Sequence, residues 1–341
     1  MAKSVLVTGH RGYLGPSVVV ALQQAGYGVV GWDTCLFEGC CFGPPPQHVE
    51  EARCDIREVG GEHLVGFDAV VHLAAVSNDP LGELDPETTF NINHRATVRL
   101  AELARSAGVE RFLFSSSCSM YGKAGEAALD ETQDFNPLTA YSASKVLAER
   151  DLAAMADESF APIFLRNATA YGVSPFLRLD LVVNNLAGAA FATGEVLIKS
   201  DGTPWRPLVH VDDIAQAFVA ALQAPLDLVR GEAFNVGSSS ENYTISEIAS
   251  IVEDVIPGSV VAYAPGGGPD ARSYRVDCSK AARVLGFEPR FNLRLGVEQL
   301  YQAFRTYGLS REDVEGPRYV RIERIKELQA RGLLDHELFW R

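Results

Sequence analysis

A tyrosine and a lysine stand four residues apart in the segment AYSASK, as Tyr141 and Lys145. Residues with this spacing share one face of a helix, so the lysine ammonium would lie beside the tyrosine phenol. A free phenol has a pKa of about 10, and a neighbouring positive charge stabilises the phenolate and lowers that value. We therefore expect Tyr141 to exchange a proton with a hydroxyl group, with Lys145 assisting it.

Three glycines, Gly9, Gly12 and Gly15, lie in TGHRGYLG between an apolar run (4–9) and a segment with helical spacing (13–27). Glycines at such a turn let the backbone approach a pyrophosphate, whose charge lies at the helix N-terminus. A glycine triplet alone is weak evidence, but the order of strand, glycines and helix is the one that a dinucleotide site requires. The sequence therefore predicts a dinucleotide cofactor at this turn.

The identity of the cofactor depends on Asp33, which ends a second predicted strand (28–33). A carboxylate there can accept hydrogen bonds from the adenosine ribose and repels a 2'-phosphate, so it favours NAD over NADP. Arg11, inside the glycine turn, argues the other way because a guanidinium could pair with a 2'-phosphate. We give Asp33 more weight. Asp55 and Ile56 are placed to contact adenine, although Asp55 could equally be an ordinary loop residue.

The elements that must position these residues alternate along the first half of the chain. Predicted strands are 4–9, 28–33, 49–54, 69–75, 111–117 and 161–168, and predicted helices are 13–27, 86–108 and 136–156. Uniformly apolar strands that alternate with helices indicate βαβ units and a parallel sheet buried on both faces. The sequence predicts an α/β fold, a Rossmann-type doubly wound parallel sheet with a smaller C-terminal substrate-binding α/β lobe.

After residue 170 the alternation loosens. We predict a helix at 179–194, a loop, strand and helix over 202–225, a strand at 232–237, and a helix at 243–256. Thr244 and Glu247 have the spacing of a capping box at the start of that last helix. The predicted NAD-binding domain covers 1–170 and is completed by about 205–237. The predicted substrate-binding lobe covers 171–204 and 238–309, and a peripheral helical C-terminal extension covers 310–341.

The composition narrows the class of protein. The chain has 341 residues, 47% of them hydrophobic, and a formal net charge of −14, so we expect no nucleic-acid partner. Six scattered cysteines without a Cys-x-x-Cys pair or zinc spacing predict free thiols in a reducing cytoplasm and no metal. The first residues run directly into a predicted strand, and no apolar run is long enough to cross a membrane, so we expect neither a leader nor a membrane anchor.

Several segments together resemble the extended short-chain dehydrogenase/reductases, in particular their nucleotide-sugar epimerase/dehydratase group. They run from residue 4 to about 287 and read TGHRGYLG, VVHLAA, FSSSCSMYG, YSASK, WRPLVHVDDIA and DARSYRVDCSKAARVLGF. The resemblance implies bound NAD, a nucleotide-sugar substrate and a homodimer. It also implies a third catalytic hydroxyl four residues before the tyrosine of an (S/T)xxxYG segment. Counted back from Tyr121, that residue is Ser117, beside Tyr141 and Lys145.

The two residues after Ser117 discriminate between reactions of this family. Sugar 4,6-dehydratases carry an Asp and a Glu where this chain has Cys118 and Ser119, and glucuronate decarboxylases usually carry a Glu in this stretch. The 3,5-epimerases and fucose-type epimerase-reductases use a Cys at the position of Ser119. Cys118 is one residue away, which on a strand would point its thiol to the other face. We therefore interpret Cys118 as a packed core thiol.

The pattern that remains is that of the 4-epimerases, which need only the serine, tyrosine, lysine and bound NAD. The implied mechanism is oxidation at C4, rotation of the 4-keto sugar and return of the hydride to the other face, without net redox change. Two alternatives stay open. One is a dehydratase, decarboxylase or reductase of the same family; the other is a non-catalytic NAD-binding regulator, against which the intact Ser117, Tyr141 and Lys145 argue.

The resemblance also implies the ligand contacts. The cofactor residues would be Gly9, Arg11, Gly12, Tyr13, Leu14, Gly15, Asp33, Asp55, Ile56, Leu73, Ala74, Ala75, Asn93, Ser115, Tyr141 and Lys145. The substrate residues would be Ser77, Ser117, Cys118, Ser119, Tyr141, Asn167, Thr169, Asn185, Arg206 and Arg272, with the two arginines on the diphosphate. Two departures leave the nucleotide and the sugar open, because Thr169 replaces a common Asn and Gly267 replaces the second arginine of uridine-sugar enzymes.

Overall fold

A computed structural model describes residues 3–265 and 272–341. Its strands β1 to β14 are, in chain order, Ser4–Thr8, Gly28–Asp33, Glu50–Arg53, Ala69–His72, Arg111–Ser117, Lys123–Leu129, Ala161–Asn167, Thr169–Tyr171, Glu195–Ile198, Trp205–His210, Ala233–Val236, Asn242–Thr244, Val260–Tyr263 and Ser273–Val276. Its helices α1 to α13 are Gly15–Gln24, Asp79–Gly82, Pro86–Phe90, Thr97–Ser106, Ala140–Ala153, Val182–Thr193, Val211–Gln223, Leu226–Val229, Ile245–Val255, Ser279–Leu285, Leu293–Tyr307, Arg311–Glu315 and Arg321–Ala330.

Within the described residues, seven strands form one parallel sheet in the order β11-β7-β5-β4-β1-β2-β3. The chain builds β1, β2 and β3 toward one edge and then β4, β5, β7 and β11 toward the other. The order therefore reverses between β1 and β4, and a cleft opens there at the carboxyl ends of the strands. This arrangement confirms the predicted Rossmann-type fold.

Side chains from each central strand pack on both faces of the sheet. Val5 and Val7 of β1 lie in one core with residues of α1 and α7. Leu6, between them in sequence, lies in a second core with residues of α4 and α5. Successive side chains of a strand point to opposite faces, so a sheet covered by helices on both faces requires apolar residues at every position. This burial explains why the strands read as continuous apolar runs.

The predicted helix at 86–108 contains a π-helical turn, Asn91–Ala96, between α3 and α4. Asn93 is wholly buried in this turn. Its side chain accepts a hydrogen bond from the Val76 N–H (2.8 Å) and donates one to the Val76 carbonyl (2.9 Å). The wide turn thereby anchors the loop that follows β4. Apolar periodicity does not reveal it, because a single-turn π-bulge leaves the flanking helical pattern intact.

A second lobe is built from three small sheets and their covering helices. The strands pair as β12-β10-β8, β13-β9 and β14-β6, and a separate apolar core includes side chains of α6, α9 and α11. The predicted capping box is confirmed, because Thr244 Oγ1 accepts from the Glu247 N–H at 3.2 Å and Glu247 Oε2 accepts from the Thr244 N–H at 2.7 Å. The domain boundaries given above stay a prediction.

The C-terminal extension, residues 310–341, is not peripheral, and the sequence-based expectation was wrong on this point. Ile325, Leu328 and Leu334 are buried in a core that also includes Val76 and Leu81, near the carboxyl end of β4. The extension is mostly charged, so its few apolar residues did not indicate a contact with the main body. These residues are nevertheless the ones that are buried where the extension packs. In the described part of the chain, no helix is long and apolar enough to cross a membrane.

Candidate functional site

The cleft at the reversal of strand order has a volume of about 1030 Å³. That lies at the upper end of the range for a single-ligand pocket, so a dinucleotide and a second ligand can share it. The predicted residues that line it are Gly9, Gly12, Tyr13, Leu14, Asp33, Asp55, Ile56, Leu73, Ala74, Ala75, Ser77, Ser115, Ser117, Ser119, Tyr141, Lys145, Asn167, Thr169, Asn185, Arg206 and Arg272.

Four other predicted residues do not line the cleft. The sulfur of Cys118 faces the interior, where it contacts the Arg166 carbonyl at 3.0 Å, so Cys118 is not a substrate contact. Cys118 begins a 3₁₀ turn rather than continuing β5, and this turn, not strand alternation, directs the thiol inward. Asn93 supports the loop after β4, as described above. Arg11 and Gly15 shape the glycine turn without facing the ligand space.

The glycine turn depends on two close approaches. Gly9 has a φ of +76°, and a Cβ there would lie 2.6 Å from the Ala74 nitrogen. A Cβ on Gly15 would lie 2.1 Å from the His10 carbonyl oxygen. Both positions therefore exclude larger residues. Gly9 lets the turn meet the loop after β4, and Gly15 lets α1 start directly under the turn.

The carboxylate of Asp33 points into the cleft from the end of β2. It accepts hydrogen bonds from the Arg11 N–H (2.9 Å) and the Cys35 N–H (2.7 Å). Burial raises the pKa of Asp33, and these two N–H groups act in the opposite direction. Each carboxylate oxygen can accept a further hydrogen bond, so Asp33 retains the capacity to bind two ribose hydroxyls.

The Arg11 side chain is held away from the cleft by Glu51 of β3. Its Nε donates to Glu51 Oε2 at 2.9 Å, and His10 Nε2 lies 2.7 Å from the same oxygen. The hydrogen bond from Arg11 lowers the pKa of Glu51 to about 2, so this carboxylate is ionised at neutral pH. The pairing leaves Arg11 poorly placed for a 2'-phosphate and removes the one residue that argued for NADP.

Ser117 stands at the junction of β5 and the 3₁₀ turn. Its Oγ accepts from the Ser119 N–H (3.1 Å) and donates to Ser119 Oγ (2.9 Å). It also lies close enough to the Tyr141 phenol to lower the pKa of that group. Two serine hydroxyls and a phenol therefore lie together at the inner end of the cleft.

Helix α5 carries Tyr141 in its first turn and Lys145 in its second. Lys145 Nζ donates to the Ser115 carbonyl at 2.8 Å and lies 5.9 Å from the centre of the Tyr141 ring. A lysine ammonium has three donors, so Lys145 can also bind ribose hydroxyls. The predicted juxtaposition of the two side chains is present.

The prediction that the lysine ammonium and the positive nicotinamide of an oxidised cofactor together lower the pKa of Tyr141 concerns the cofactor-bound site, and in the protein alone the pKa values of the pair are shifted the other way. Burial raises the pKa of Tyr141 to about 12, with the nearby Ser117 hydroxyl acting in the opposite direction. Burial also lowers the pKa of Lys145 to about 7, with Glu149 acting in the opposite direction. Loss of water from around both groups therefore outweighs the effect of the lysine on the phenol. Lowering the pKa of Tyr141 requires additional positive charge in the cleft.

A buried ion pair holds α5 against the sheet. Arg166 of β7 donates to Glu149 of α5, with Nη2 at 2.8 Å from Oε2, and both side chains are almost fully buried. The same guanidinium donates to the Tyr121 hydroxyl at 3.1 Å. Removing either partner would leave an uncompensated buried charge. This pair therefore fixes the helix on which Tyr141 and Lys145 lie.

Asn167, at the end of β7, has an amide oxygen directed at the same region. Its Nδ2 donates to Ser115 Oγ (3.1 Å) and to the Ser116 carbonyl (3.4 Å). Its buried Oδ1 has no hydrogen-bond partner among the residues that the structure describes. A buried acceptor of this kind is costly unless it is satisfied, so a ligand hydroxyl or amide is expected to donate to it.

Arg206 and Arg272, predicted as diphosphate contacts, both line the cleft and contact each other, and their predicted role stays a prediction. Arg206 Nη1 donates to the backbone carbonyl of Arg272, and Arg272 contacts Asp79. Asp79 also accepts a hydrogen bond from Thr139 Oγ1 at 2.6 Å. The family position compared with Gly267 lies outside the described residues.

Three residues of the wall that the sequence did not predict, Arg178, Asp180 and Asn78, form a hydrogen-bonded group with the predicted Ser77. Arg178 makes a two-point ion pair with Asp180, with Nε 2.8 Å from Oδ1, and donates to Ser77 Oγ at 3.0 Å. Asn78 Nδ2 donates to Asp180 at 2.7 Å. The signal was an Arg-x-Asp pair inside the apolar run FLRLDLVV, because charges in such a run are buried only when paired.

The residues present fit NAD. Within residues 3–265 and 272–341, no side chain caps α1, and its first turn carries no acidic group, so its N–H groups can face a diphosphate. Asp33 is placed for the adenosine ribose, and Lys145 is placed for the second ribose. The cleft therefore has groups for both nucleosides and for the diphosphate between them.

Comparisons with known proteins agree with this geometry. The chain matches the NAD dependent epimerase/dehydratase family over residues 5–237. It is 31% identical over 314 residues to UDP-glucose 4-epimerase of Mycolicibacterium smegmatis, covering 88% of this chain and 98% of that protein. It is 28% identical over 327 residues to UDP-glucuronic acid decarboxylase 1 of Arabidopsis thaliana, covering 92% and 72%. The structure of MoeE5 in complex with UDP-glucuronic acid and NAD is similar with a TM-score of 0.76 at 31% identity, covering 89% and 99%.

These matches and the fold define the class as an NAD-dependent protein of the extended short-chain dehydrogenase/reductase type. The chain belongs to the NAD dependent epimerase/dehydratase family. The resemblance seen in the sequence is thereby confirmed, together with NAD as the cofactor. The roles of the individual site residues stay a prediction.

The pairing of Arg11 with Glu51 predicts how cofactor preference can be changed. We expect Asp33→Ser alone to weaken NAD binding without a matching gain for NADP, because Glu51 still holds Arg11. Adding Glu51→Gln should release Arg11 and tighten NADP binding by about tenfold or more relative to Asp33→Ser. Titration calorimetry with both cofactors measures this, and Asp33→Ser with the exposed Glu50→Gln is the control. Equal NADP affinity in the two double variants would contradict the prediction.

Burial of Lys145 predicts a pH-dependent stability in the absence of cofactor. The pKa of Lys145 falls from 10.5 to about 7 on folding, so the unfolded chain holds a proton there that the folded chain releases. The contribution of Lys145 to stability therefore rises with pH in this window, by at most about 1.4 kcal/mol per pH unit. The free energy of unfolding of wild type, measured in urea, should rise with pH relative to that of Lys145→Met between about pH 7.5 and 9.5. The exposed Lys123→Met serves as control, and parallel curves for wild type and Lys145→Met would refute the prediction.

Proposed function

We propose that the protein is an NAD-dependent nucleotide-sugar 4-epimerase that acts through a transient 4-keto sugar. The observation that carries the proposal is that Ser117 and Tyr141 lie close together beside Lys145, at the inner end of a cleft with space for two ligands. The relatives named UDP-glucose 4-epimerase support the same class of reaction.

The protein groups supply proton transfer and positioning. Ser117 and Tyr141 are placed to bind one sugar hydroxyl between them, and Tyr141 takes its proton as the carbon is oxidised. Lys145 is placed to bind the cofactor ribose, and in its protonated form it brings a positive charge near the phenol. Bound NAD supplies acceptance and return of the hydride, together with the positive nicotinamide charge that the raised pKa of Tyr141 calls for. Because the hydride returns to the same substrate, the cofactor need not leave between turnovers.

The state of the acidic residues near the reaction end of the cleft argues against elimination of water and so favours epimerisation. A dehydratase needs an acid and a base at the positions of Cys118 and Ser119, where this chain has a buried thiol and a hydroxyl. Asp79 and Asp180 line the cleft, but each is held in an ion pair with an arginine. Neither is therefore arranged as a free acid or base toward the sugar.

The substrate class is a nucleoside diphosphate sugar. Arg206 and Arg272 line the cleft at the positions where the family places phosphate-binding arginines, and guanidinium groups suit a diphosphate. We also propose that the protein works as a homodimer in the cytoplasm. The six cysteines, all within the described ranges, are free thiols, which fits a reducing compartment.

The experiment that tests the reaction is a product analysis. The purified protein is incubated with a panel of UDP-, GDP-, dTDP-, CDP- and ADP-sugars, including glucuronates, and products are analysed by mass spectrometry and NMR. We expect at least one substrate to give a product of unchanged mass with inverted C4. Loss of water or of carbon dioxide would instead establish a dehydratase or decarboxylase, and the absence of any turnover would favour a regulator.

Substitutions at the serine cluster test the assignment of the hydroxyl. Ser117→Ala and Tyr141→Phe should each lower kcat by about 10²- to 10⁴-fold, because a proton-transfer group is lost, and both should retain bound NAD. Cys118→Ala, one residue along and wholly buried, should change kcat little. A large loss of kcat in Cys118→Ala with normal NAD content would overturn the assignment of Ser117.

A further inference from the structure

Arg321 is a buried arginine that the proposed reaction does not use. It is the first residue of α13, in the C-terminal extension, and is only 3% exposed. Arg321 is among the residues that line the cleft, its guanidinium is stacked 3.6 Å from the centre of the Phe37 ring, and Nη2 donates to the Phe176 carbonyl at 3.0 Å. Among the described residues, no carboxylate lies within ion-pair distance of it. Most of its five donors therefore remain available.

A buried cation of this kind is unfavourable without a counter-anion. Burial, together with the nearby Arg178, lowers the pKa of Arg321 to about 9. Guanidinium groups nevertheless stay protonated at neutral pH, so the charge persists inside the cleft. The side chain is thus poised to bind an anion that enters from solution.

The position of Arg321 in the cleft indicates which anion it binds. Asp33, at the adenosine end, and Asp180 both lie close enough to raise its pKa. The segment that carries Phe176, the acceptor of the Arg321 hydrogen bond, is tied to the glycine turn because Ser174 Oγ donates to the Tyr13 carbonyl at 2.8 Å. Arg321 is therefore linked by direct contacts to the loop after β2, through Phe37, and to the segment that packs on the glycine turn. A dinucleotide with its adenosine ribose at Asp33 and its diphosphate at the glycine turn would occupy this region.

The glycine turn leaves the diphosphate in need of such a partner. Arg11 is engaged by Glu51, so the turn itself contributes N–H groups and a helix dipole but no free cation. The dipole at a helix N-terminus is equivalent to about half a positive charge, whereas a diphosphate linkage carries two negative charges. A cation from another element would neutralise the remaining negative charge of the diphosphate.

We propose that Arg321 binds the diphosphate of NAD, so that the C-terminal extension forms part of the cofactor site and retains the cofactor. The inference rests on the cofactor site proposed above. It goes beyond the family match, which covers residues 5–237, and beyond relatives such as MoeE5, which leave about a tenth of this chain unmatched.

Other contacts of the extension hold it over the adenosine side of the cleft. The Trp340 indole N–H donates to the Thr34 carbonyl at 2.6 Å, and Arg57 donates to the Glu337 carbonyl at 2.7 Å. Leu338, between them, lines the cleft. The extension is therefore fixed beside the part of the cleft where the adenosine of a dinucleotide would bind.

The test is ligand binding by Arg321→Gln, measured by calorimetry after removal of copurified cofactor. We expect affinity for NAD and for ADP-ribose to fall about 10- to 100-fold, the loss typical of a hydrogen-bonded charge, with partial recovery in Arg321→Lys. Affinity for adenosine, which lacks phosphate, should stay unchanged. Arg331→Gln, an exposed arginine in the same extension, is the matched control and should bind all three ligands normally.

Two measurements separate this role from others. Without cofactor, Arg321→Gln should melt no lower than wild type, because it removes an unpaired buried charge. A lower melting temperature with normal ADP-ribose affinity would show a packing role and overturn the proposal. Weakened UDP binding with normal ADP-ribose binding would assign Arg321 to the substrate diphosphate instead and would equally overturn it. Neither assay needs turnover, so the outcome is independent of which reaction the sugar panel reveals.

Discussion

The contact between Gly9 and the backbone of Ala74 sets the spacing on which the cleft depends. The carboxyl ends of β1 and β4 are adjacent at the reversal of strand order, and the turns that follow them diverge from there. A side chain at position 9 would meet the Ala74 nitrogen at 2.6 Å, so the two turns can approach this closely only with glycine. The loop after β4 is fixed from its other side by Asn93. The inner surface of the cleft is therefore formed here by the backbone of these two turns.

Burial governs the chemistry at the inner end of that space. The parallel sheet and its two helical layers exclude water from Tyr141 and Lys145. Desolvation raises the pKa of the phenol and lowers that of the amine, which opposes proton transfer in the protein alone. A cationic cofactor beside them would act in the opposite direction on the phenol. The proposed proton transfer therefore depends on an occupied cofactor site, and the Arg166–Glu149 pair holds α5 against the sheet.

The C-terminal extension alters the usual division between a nucleotide-binding domain and a substrate lobe. It packs on both the loop after β2 and the segment after β4, and its side chains form part of the cleft wall. Its docking brings distant parts of the sequence into contact, as in the hydrogen bond from Trp340 to the Thr34 carbonyl. A segment that composition presents as a solvated helix thereby becomes a structural part of the ligand site.

The sequence by itself determined the sheet type, the glycine turn, the Asp33 position and the Tyr141–Lys145 face. Each of these follows from local spacing or from burial of a strand on both faces. Tertiary structure alone decided the rest. It showed that Glu51 engages Arg11, that a 3₁₀ turn directs Cys118 inward, that Arg178 and Asp180 lie in the wall, and that Arg321 reaches the cleft. These outcomes depend on contacts between distant segments and on the loss of water around charged groups. A local pattern of residues specifies neither the contacts nor the burial.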